Sequence, residues 1–265
     1  MGINENSKIL ITGLLSERSI AYGIAKALRR QGARLAFTYQ NEAIKTRVEK
    51  LAHEFDAELI LPCDVSSDEQ IQALFDSLSL HWPKLDGIVH AIAFAPRDAL
   101  SGSFHESVTR ENFRIAHDIS AYSLAALVKA GLPLLNRGTA SVVALSYLGA
   151  VRAVPNYNVM GLAKASLESC IRYLAFSLGP LGIRVNGISA GPVKTLASSG
   201  IANFNQLSDF FEKNTPLGRM VNIEEIGDVA SFLCSGMSSS LNGEIVYADG
   251  GFHMSGFRLS ANAST

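Results

Sequence analysis

The chain has 265 residues, of which 48% are apolar and 18% are charged. The apolar share is enough for a folded core and excludes intrinsic disorder, and the length predicts one α/β domain or at most two. Because 23 basic and 24 acidic side chains leave a net charge of −1, no overall basic field favours a nucleic-acid partner. The low charged share indicates either a large core or a surface covered by other subunits.

The distribution of cysteine and histidine favours a reducing, cytoplasmic location and no metal site. Cys63, Cys170 and Cys234 are widely spaced and match neither a disulfide framework nor a metal motif. The six histidines are scattered and none pairs with a second ligand type at metal spacing. Residues 1–7 lack the apolar core of a signal peptide, and no stretch of 18 apolar residues predicts a membrane span.

Apolar runs of β type alternate with helical patterns along the chain. We predict strands over 8–12, 33–39, 58–61, 87–93, 139–145, 183–189 and 244–248. We predict helices over 20–31, 42–54, 67–80, most of 109–135, 157–179 and 223–234, the third of them capped by Ser66 or Ser67. This alternation predicts an α/β fold, a single-domain (1–265), Rossmann-type, doubly wound, seven-stranded parallel sheet flanked by helices. We expect a loose tail over 258–265.

The turn after the first predicted strand carries a signal for a diphosphate. Gly13 ends that strand, and a glycine loop that leads into a helix presents backbone N–H groups to phosphate. Ser19 and Ala21 occupy the region where the usual glycine-rich fingerprint would place further glycines, so the fingerprint is incomplete. The position of this turn at the first crossover of a parallel sheet favours a dinucleotide site over an ordinary turn.

The ends of the next strands indicate which dinucleotide would bind. Gln40 follows the second strand and offers a hydrogen bond to a ribose hydroxyl but no positive charge for a 2′-phosphate, which favours NADH over NADPH. Asp64 follows the third strand and either accepts from the adenine amino group or caps the next helix. The small residues around Ile92 would let a flat ring lie against the backbone, although small residues also simply pack.

The most informative pair is Tyr157 and Lys164, which lie seven residues apart in a predicted helix. Seven residues return the lysine to the face of the tyrosine, roughly 10 Å further along the axis. A neighbouring ammonium favours the phenolate, so it would make the phenol a better proton donor. Tyrosine and lysine at this spacing are also common by chance in an amphipathic helix, so the pair alone does not decide the function.

Several segments that occur in one order give the pair its context. They are TGLLSERSIAYGIA, CDV, AIAFAPRDAL, IAHDISAYS, LSYLGAVRAVPNYNVMGLAKASLE, RVNGISAGPVKTLA and DGG. Together they closely resemble the bacterial NADH-dependent enoyl-acyl-carrier-protein reductases of type II fatty acid synthesis, a divergent branch of the short-chain dehydrogenase/reductase family. The resemblance covers nearly the whole chain, and the tyrosine–six residues–lysine spacing is highly specific. The larger branch has a three-residue spacing, which occurs here only at Tyr22 and Lys26 in the first helix and is interpreted as coincidence.

The resemblance implies an oxidoreductase that reduces the trans-2 double bond of enoyl-acyl-carrier-protein thioesters with NADH. It implies that Tyr157 stabilises charge on the thioester oxygen and that Lys164 holds the nicotinamide ribose. Tyr147 resembles the family's second tyrosine, and its role relative to Tyr157 stays open. The implied partners are the acyl carrier protein and further copies of the chain in a homotetramer, with the helices from Thr109 and Tyr157 packing across subunits.

The resemblance also assigns binding residues. Contacts with NADH are implied for Gly13, Ser19, Ile20, Gln40, Asp64, Val65, Ile92, Lys164, Val193, Lys194, Thr195, Leu196 and Ala197. Contacts with the substrate are implied for Ala95, Tyr147, Tyr157, Ile201 and Phe204. Residues 196–211 resemble the family's mobile substrate-binding loop, although Ile201 and Phe204 suit the core of a short helix equally well.

Two other functions remain as alternatives. A carbonyl reductase acting on 3-oxoacyl or alcohol substrates would share the fold and the cofactor, but the spacing between Tyr157 and Lys164 opposes it. A dinucleotide-sensing protein would bind NAD without turnover. The intact pair opposes that function too, because a sensor does not need a proton or hydrogen-bond donor beside the cofactor.

Overall fold

The computed structural model describes residues 7–193 and 204–255, and a seven-stranded sheet forms its centre. The strand order is β3-β2-β1-β4-β5-β6-β7, and all neighbouring strands are parallel. This confirms the predicted fold class. The strands are β1 (Lys8–Ile11), β2 (Arg34–Tyr39), β3 (Leu59–Pro62), β4 (Gly87–His90), β5 (Ser141–Tyr147), β6 (Arg184–Ala190) and β7 (Ile245–Ala248).

Helices cover both faces of the sheet, so each face has its own apolar core. On one face the core includes side chains of α3, α6 and α7, and on the other it includes those of α1, α2 and α9. The helices in the described part are α1 (Ile20–Arg30), α2 (Glu42–His53), α3 (Asp68–His81), α4 (Phe104–Ser107), α5 (Arg110–His117), α6 (Ser123–Gly131), α7 (Val159–Leu178), α8 (Phe204–Asn214) and α9 (Ile223–Cys234). Within 7–193 and 204–255, none of them combines the length and apolarity that crossing a bilayer requires.

The topology creates a crevice at the carboxyl ends of the strands. The chain runs from β1 outward through β2 and β3 and then returns to β4 on the other side of β1. Open α/β sheets bind ligands at such a reversal, just outside the carboxyl ends of the strands. Since all the strands are parallel, the predicted site residues that follow six of them lie along this one edge.

The structure agrees with the prediction that most of 109–135 is helical, and it adds a break in regular geometry that was not predicted. A π-helical turn at Asp118–Tyr122 separates α5 from α6. Its Ser120 hydroxyl accepts from the N–H of Phe94 at 3.0 Å and also contacts the carbonyl of Phe94 at 3.2 Å. Side-chain hydrogen bonds of this kind compete with regular helix geometry. The same contact helps to explain why β4 ends at His90 and not at residue 93, because the Phe94 backbone is bonded to Ser120 and not to a neighbouring strand.

The start of helix α7 differs from prediction. The sequence pattern predicts that the helix begins at Tyr157. In the structure Tyr157 lies in a turn, and α7 begins two residues later at Val159. The predicted loop over 196–211 ends in helix α8, and its first half, together with the predicted tail over 258–265, lies outside the described residues.

Candidate active site

The end of β1 meets the end of β4 so closely that only glycine fits at position 13. Gly13 has a φ of 82°, and a Cβ atom there would lie 2.1 Å from the carbonyl oxygen of Ala91. The preceding Thr12 hydroxyl donates to the Val89 carbonyl at 3.1 Å and accepts from the Ala91 N–H at 3.2 Å. These contacts fix the predicted phosphate turn against the strand that precedes Ile92.

The N-terminus of α1 has the geometry of an anion site. Ser19 is its N-cap, and its hydroxyl accepts from the Tyr22 N–H at 3.3 Å and donates to the Ser16 carbonyl at 2.7 Å. The first N–H groups of a helix have no partner within the helix. Ser19 and Ile20 therefore begin a helix terminus that suits a diphosphate, as the sequence predicts.

Gln40 and Asp64 are bonded to one another at the ends of β2 and β3. The Gln40 amide donates to Asp64 at 3.0 Å, and the Ser66 N–H and hydroxyl donate to the other carboxylate oxygen at 3.0 and 2.8 Å. Burial acts to raise the pKa of Asp64, but these hydrogen bonds outweigh it and hold the pKa below its ordinary value. Helix α3 is capped by Ser67, so capping is not the role of Asp64.

The two candidate catalytic tyrosines meet at the end of β5. Tyr147 is the last residue of that strand, and its ring lies edge-on to the ring of Tyr157 with centroids 4.8 Å apart. A Cβ atom at Gly149 would lie 2.3 Å from the Tyr157 ring. Asn156 and Asn158, on either side of Tyr157, have positive φ values of 63° and 42°, a region that asparagine enters more readily than most residues.

Burial raises the pKa of both tyrosines, and for Tyr157 the charge of an ionised Tyr147 would raise it further. The net direction of the Tyr157 pKa is therefore opposite to the one that a neighbouring ammonium would produce alone. The Lys164 ammonium instead donates to the backbone carbonyl of Leu145 at 2.6 Å. Tyr157 is a neutral phenol, which suits a hydrogen-bond donor.

Lys164 is buried, and burial lowers its pKa to about 8, against the opposing charge of Glu168. A lysine ammonium has three N–H donors, of which the Leu145 carbonyl takes one. The remaining donors suit ribose hydroxyls.

Three buried polar side chains beside these residues escaped the sequence analysis. Ser120 holds the Phe94 backbone, the Ser146 hydroxyl donates to Glu168 at 2.6 Å, and a ring nitrogen of His90 lies 2.8 Å from the Ser123 hydroxyl. The pKa of His90 is lowered to about 3 by burial and by the charge of Lys164, so its ring is neutral. A histidine inside the apolar strand GIVH was the available sequence signal.

The remaining predicted site residues differ in burial, and some lie outside the described part of the chain. Val65 and Ala95 are buried, while Ile92 and Val193 are half-buried. Phe204 begins α8. Lys194, Thr195, Leu196, Ala197 and Ile201 lie outside the described residues.

The pair with the shorter spacing, Tyr22 and Lys26, makes two separate contacts. The Tyr22 hydroxyl donates to Glu54 at 2.7 Å, and Lys26 lies 3.5 Å from Glu224 on α9. This arrangement agrees with its interpretation as coincidence.

The donors and apolar surfaces along the crevice fit a dinucleotide. A capped helix terminus comes after the turn at Gly13, a polar pair follows β2 and β3, and Lys164 is bonded to the end of β5. Val65 and Ile92 add apolar side chains at the ends of β3 and β4. In the part of the chain that the structure describes, no group of three or more histidine, cysteine or acidic side chains could hold a metal ion.

Known proteins match the chain over nearly its whole length. A family model described as enoyl-(acyl carrier protein) reductase matches residues 13–253. The enoyl-[acyl-carrier-protein] reductase [NADH] FabI of Neisseria meningitidis is 59% identical over 252 residues, covering 95% of this chain and 97% of that protein. The Escherichia coli protein of the same name is 54% identical, covering 95% and 96%.

Solved structures agree with the sequence comparisons. The crystal structure of the Aquifex aeolicus enoyl-[acyl-carrier-protein] reductase (NADH) superposes with a TM-score of 0.92 at 48% identity, covering 96% of this chain and 98% of that one. The Bacillus cereus enoyl-acyl carrier protein reductase, solved with NADP⁺ and an indole naphthyridinone, also gives 0.92, at 41% identity, covering 97% and 100%. The chain belongs to the enoyl-acyl-carrier-protein reductase family.

Proposed function

We propose that this chain reduces the trans-2 double bond of enoyl thioesters on the acyl carrier protein, with NADH, in the last reductive step of fatty acid elongation. The observation that carries the proposal is the tyrosine and lysine pair at the end of β5. Tyr157 is pressed against Tyr147 and Gly149, and Lys164 is anchored seven residues later on the Leu145 carbonyl. The relatives that are 54% and 59% identical are named as NADH-dependent enoyl reductases.

The reaction needs a site that stabilises negative charge on the thioester oxygen. NADH, when bound, supplies a hydride to the β-carbon of the enoyl thioester. The electron pair of the double bond then moves toward the carbonyl, and an enolate oxygen forms. Tyr157 donates a hydrogen bond to that oxygen, and its raised pKa keeps the proton on the phenol until charge develops. Solvent supplies the proton that the α-carbon takes.

Tyr147 and Lys164 support this step in different ways. The Tyr147 ring packs edge-on against the Tyr157 ring and so limits the directions in which the Tyr157 hydroxyl points. Lys164, anchored on the Leu145 carbonyl, offers its remaining N–H groups to the nicotinamide ribose. The longer tyrosine–lysine spacing fits this chemistry, because the hydride acceptor is two carbons away from the carbonyl carbon.

We assign the other cofactor contacts by their positions along the sheet edge. Gly13, Ser19 and Ile20 hold the diphosphate, and Gln40 and Asp64 face the adenosine half. The apolar side chains of Val65 and Ile92 lie against the rings. The contacts assigned to Val193, Lys194, Thr195, Leu196 and Ala197 and the substrate contacts of Ala95, Ile201 and Phe204 rest on the family resemblance, as does a mobile substrate-binding loop over 196–211.

A thioester assay tests the proposal. NADH absorbance is followed with crotonyl thioester, and we expect oxidation by the wild type and a loss of about 10²–10³-fold in kcat for Tyr157→Phe. Tyr147→Phe is the matched control, and its loss should be smaller because the second ring keeps its packing contact. No oxidation by the wild type, or full activity of Tyr157→Phe, would contradict the assignment.

Two further substrates separate the alternatives. Turnover of acetoacetyl thioester would favour a carbonyl reductase. Binding of NADH without turnover of any thioester would favour a sensor. We expect neither result.

We further propose that the enzyme is a cytoplasmic homotetramer. Cys63, Cys170 and Cys234 are all free thiols, which supports a reducing compartment. Tyr173 and Phe176 on α7 are 77% and 86% exposed in the single chain, which supports burial of this helix against another subunit.

A further inference from the structure

The last three residues of β5 are each contacted by a side chain from the segment that starts at Tyr157. The Leu145 carbonyl accepts from Lys164 at 2.6 Å, and the Ser146 hydroxyl donates to Glu168 at 2.6 Å. The third residue is Tyr147, whose ring packs edge-on against the ring of Tyr157. Of these groups, only the pair of Ser146 and Glu168 has no part in the proposed reaction.

Glu168 is a charged residue in an unusual place. Glu168 is only 5% exposed. It follows Lys164 by four positions on α7, so the two side chains are neighbours one helical turn apart. Carboxylates are seldom buried to this degree unless they are paired. The other titratable or charged groups that act on the two residues are Arg172 on α7, Tyr247 on β7 and His90 on β4.

We propose, on the basis of the function above, that Glu168 is a positioning residue that keeps Lys164 charged and directed at the cofactor ribose. A buried ammonium is costly in free energy unless an opposite charge lies close to it. His90 is neutral, and Arg172 carries the same sign as Lys164, so among the described residues Glu168 supplies the opposite charge that acts on Lys164. Ser146 fixes the carboxylate to the end of β5, the same strand end that anchors the ammonium.

The directions of the two pKa shifts agree with this role. Burial lowers the pKa of Lys164 from 10.5 to about 8, and Glu168 opposes that shift. Burial raises the pKa of Glu168, and Ser146, Arg172 and Lys164 oppose it. Without the carboxylate, the pKa of Lys164 should fall further, so the lysine would lose its charge within the neutral range.

The sign of the effect on stability follows from the same shift. Because the pKa of Lys164 is lower in the folded than in the unfolded chain, its charged form reduces stability fully below pH 8. That cost disappears as the pH rises from about 8 to 10.5. Removing Glu168 should lower the folded pKa of Lys164 further. The cost in stability at low pH should then be larger, and it should begin to disappear at a lower pH than in the wild type.

The test is Glu168→Gln, which removes the charge but keeps an oxygen that accepts from Ser146. NADH binding is titrated by fluorescence from pH 6 to 9.5, and the pH profile of kcat/KM for crotonyl thioester is recorded beside it. We expect the alkaline midpoint of both curves to move down by about 1 unit. Near pH 8 this corresponds to roughly fivefold weaker NADH binding, which approaches about tenfold at pH 9.5, with affinity close to wild type recovered at pH 6.

Two controls separate charge from packing. Ser146→Ala keeps the carboxylate and removes only its anchor, so its midpoint should move less than that of Glu168→Gln. Glu49→Gln removes an equal charge from the half-buried side of α2, away from β5, and should leave the midpoint unchanged. Circular dichroism confirms that each variant is folded.

A folded Glu168→Gln protein with the wild-type midpoint, or one whose NADH binding is weakened equally at every pH, would overturn the proposal. The binding titration needs no turnover. A wild type that binds NADH but oxidises none with enoyl thioester would instead overturn the proposed function, so the two failures are distinguishable.

Discussion

At the scale of single residues, the site depends on positions where no other side chain fits. Gly13 is the sharpest case, because it combines a φ of 82° with a backbone contact to Ala91. We expect Gly13→Ala to weaken NADH binding at least tenfold and to lower the free energy of unfolding by about 1–3 kcal/mol, since the left-handed backbone and the contact are both strained. Fluorescence titration and chemical denaturation measure the two effects.

Gly102→Ala is a suitable control, because its φ is also positive but a Cβ atom there meets nothing within 4 Å. Equal effects of both substitutions would show that the backbone strain alone matters.

Cofactor choice is a second property of single residues. Gln40→Arg adds the positive charge that a 2′-phosphate needs, so the ratio of kcat/KM for NADPH over NADH should rise. The gain should be limited, because Asp64, now 3.0 Å from the Gln40 amide, would pair with the new guanidinium. Gln40→Arg combined with Asp64→Asn should therefore favour NADPH more strongly than Gln40→Arg alone. A double variant with the same or a lower ratio would contradict this account of the pair.

The sequence predicted both members of that pair but not their bond. Gln40 and Asp64 are 24 residues apart, and each is recognisable because it follows a strand. Their contact depends on the register of β2 against β3, which no local pattern encodes. Lys164 shows the same limit. Its spacing from Tyr157 is visible in the sequence, whereas its bond to Leu145 and its burial, which decide its pKa, are tertiary facts.

At the scale of elements, periodicity predicted the seven strands and most of their helices, but it gave no sign of the places where side chains bind the backbone of another element. The π-helical turn at Asp118–Tyr122 is such a place. Its hydrogen bonds join residues that are 26 positions apart, so the helical pattern on either side gives no sign of the break.

We expect that turn to hold the loop that carries Ile92 and Ala95. Ser120→Ala leaves the Phe94 backbone without its partner, so stability should fall by about 1–3 kcal/mol and KM for the thioester should rise severalfold. Ser123→Ala removes a buried hydroxyl from the neighbouring turn, where it contacts His90 and the Ile119 carbonyl and not the loop. It should cost similar stability with a smaller change in KM. Equal KM values for both variants would show that the loop does not depend on Ser120.

At the scale of the whole molecule, the low charged share of the sequence has a visible counterpart on α7. Its inner face packs against the sheet, while Tyr173 and Phe176 project from the single chain. Neighbouring aromatic residues also stand out on α5 and the π-helical turn, where Phe113 and Tyr122 are 40% and 49% exposed. Exposed apolar surface of this kind is typical of subunit contacts.

The tetramer proposal predicts that charge on this face disrupts assembly. Tyr173→Glu combined with Phe176→Glu should reduce the sedimentation coefficient at micromolar concentration, because buried carboxylates facing each other across an interface are strongly unfavourable. Leu80→Glu, on α3 and 83% exposed, adds charge at another surface and should sediment like the wild type. The site residues lie at the carboxyl ends of the strands within one chain, so dissociated protein should still bind NADH. A wild type that sediments as a monomer would contradict the tetramer. The low share of charged residues would then be explained by the two apolar cores of the single chain.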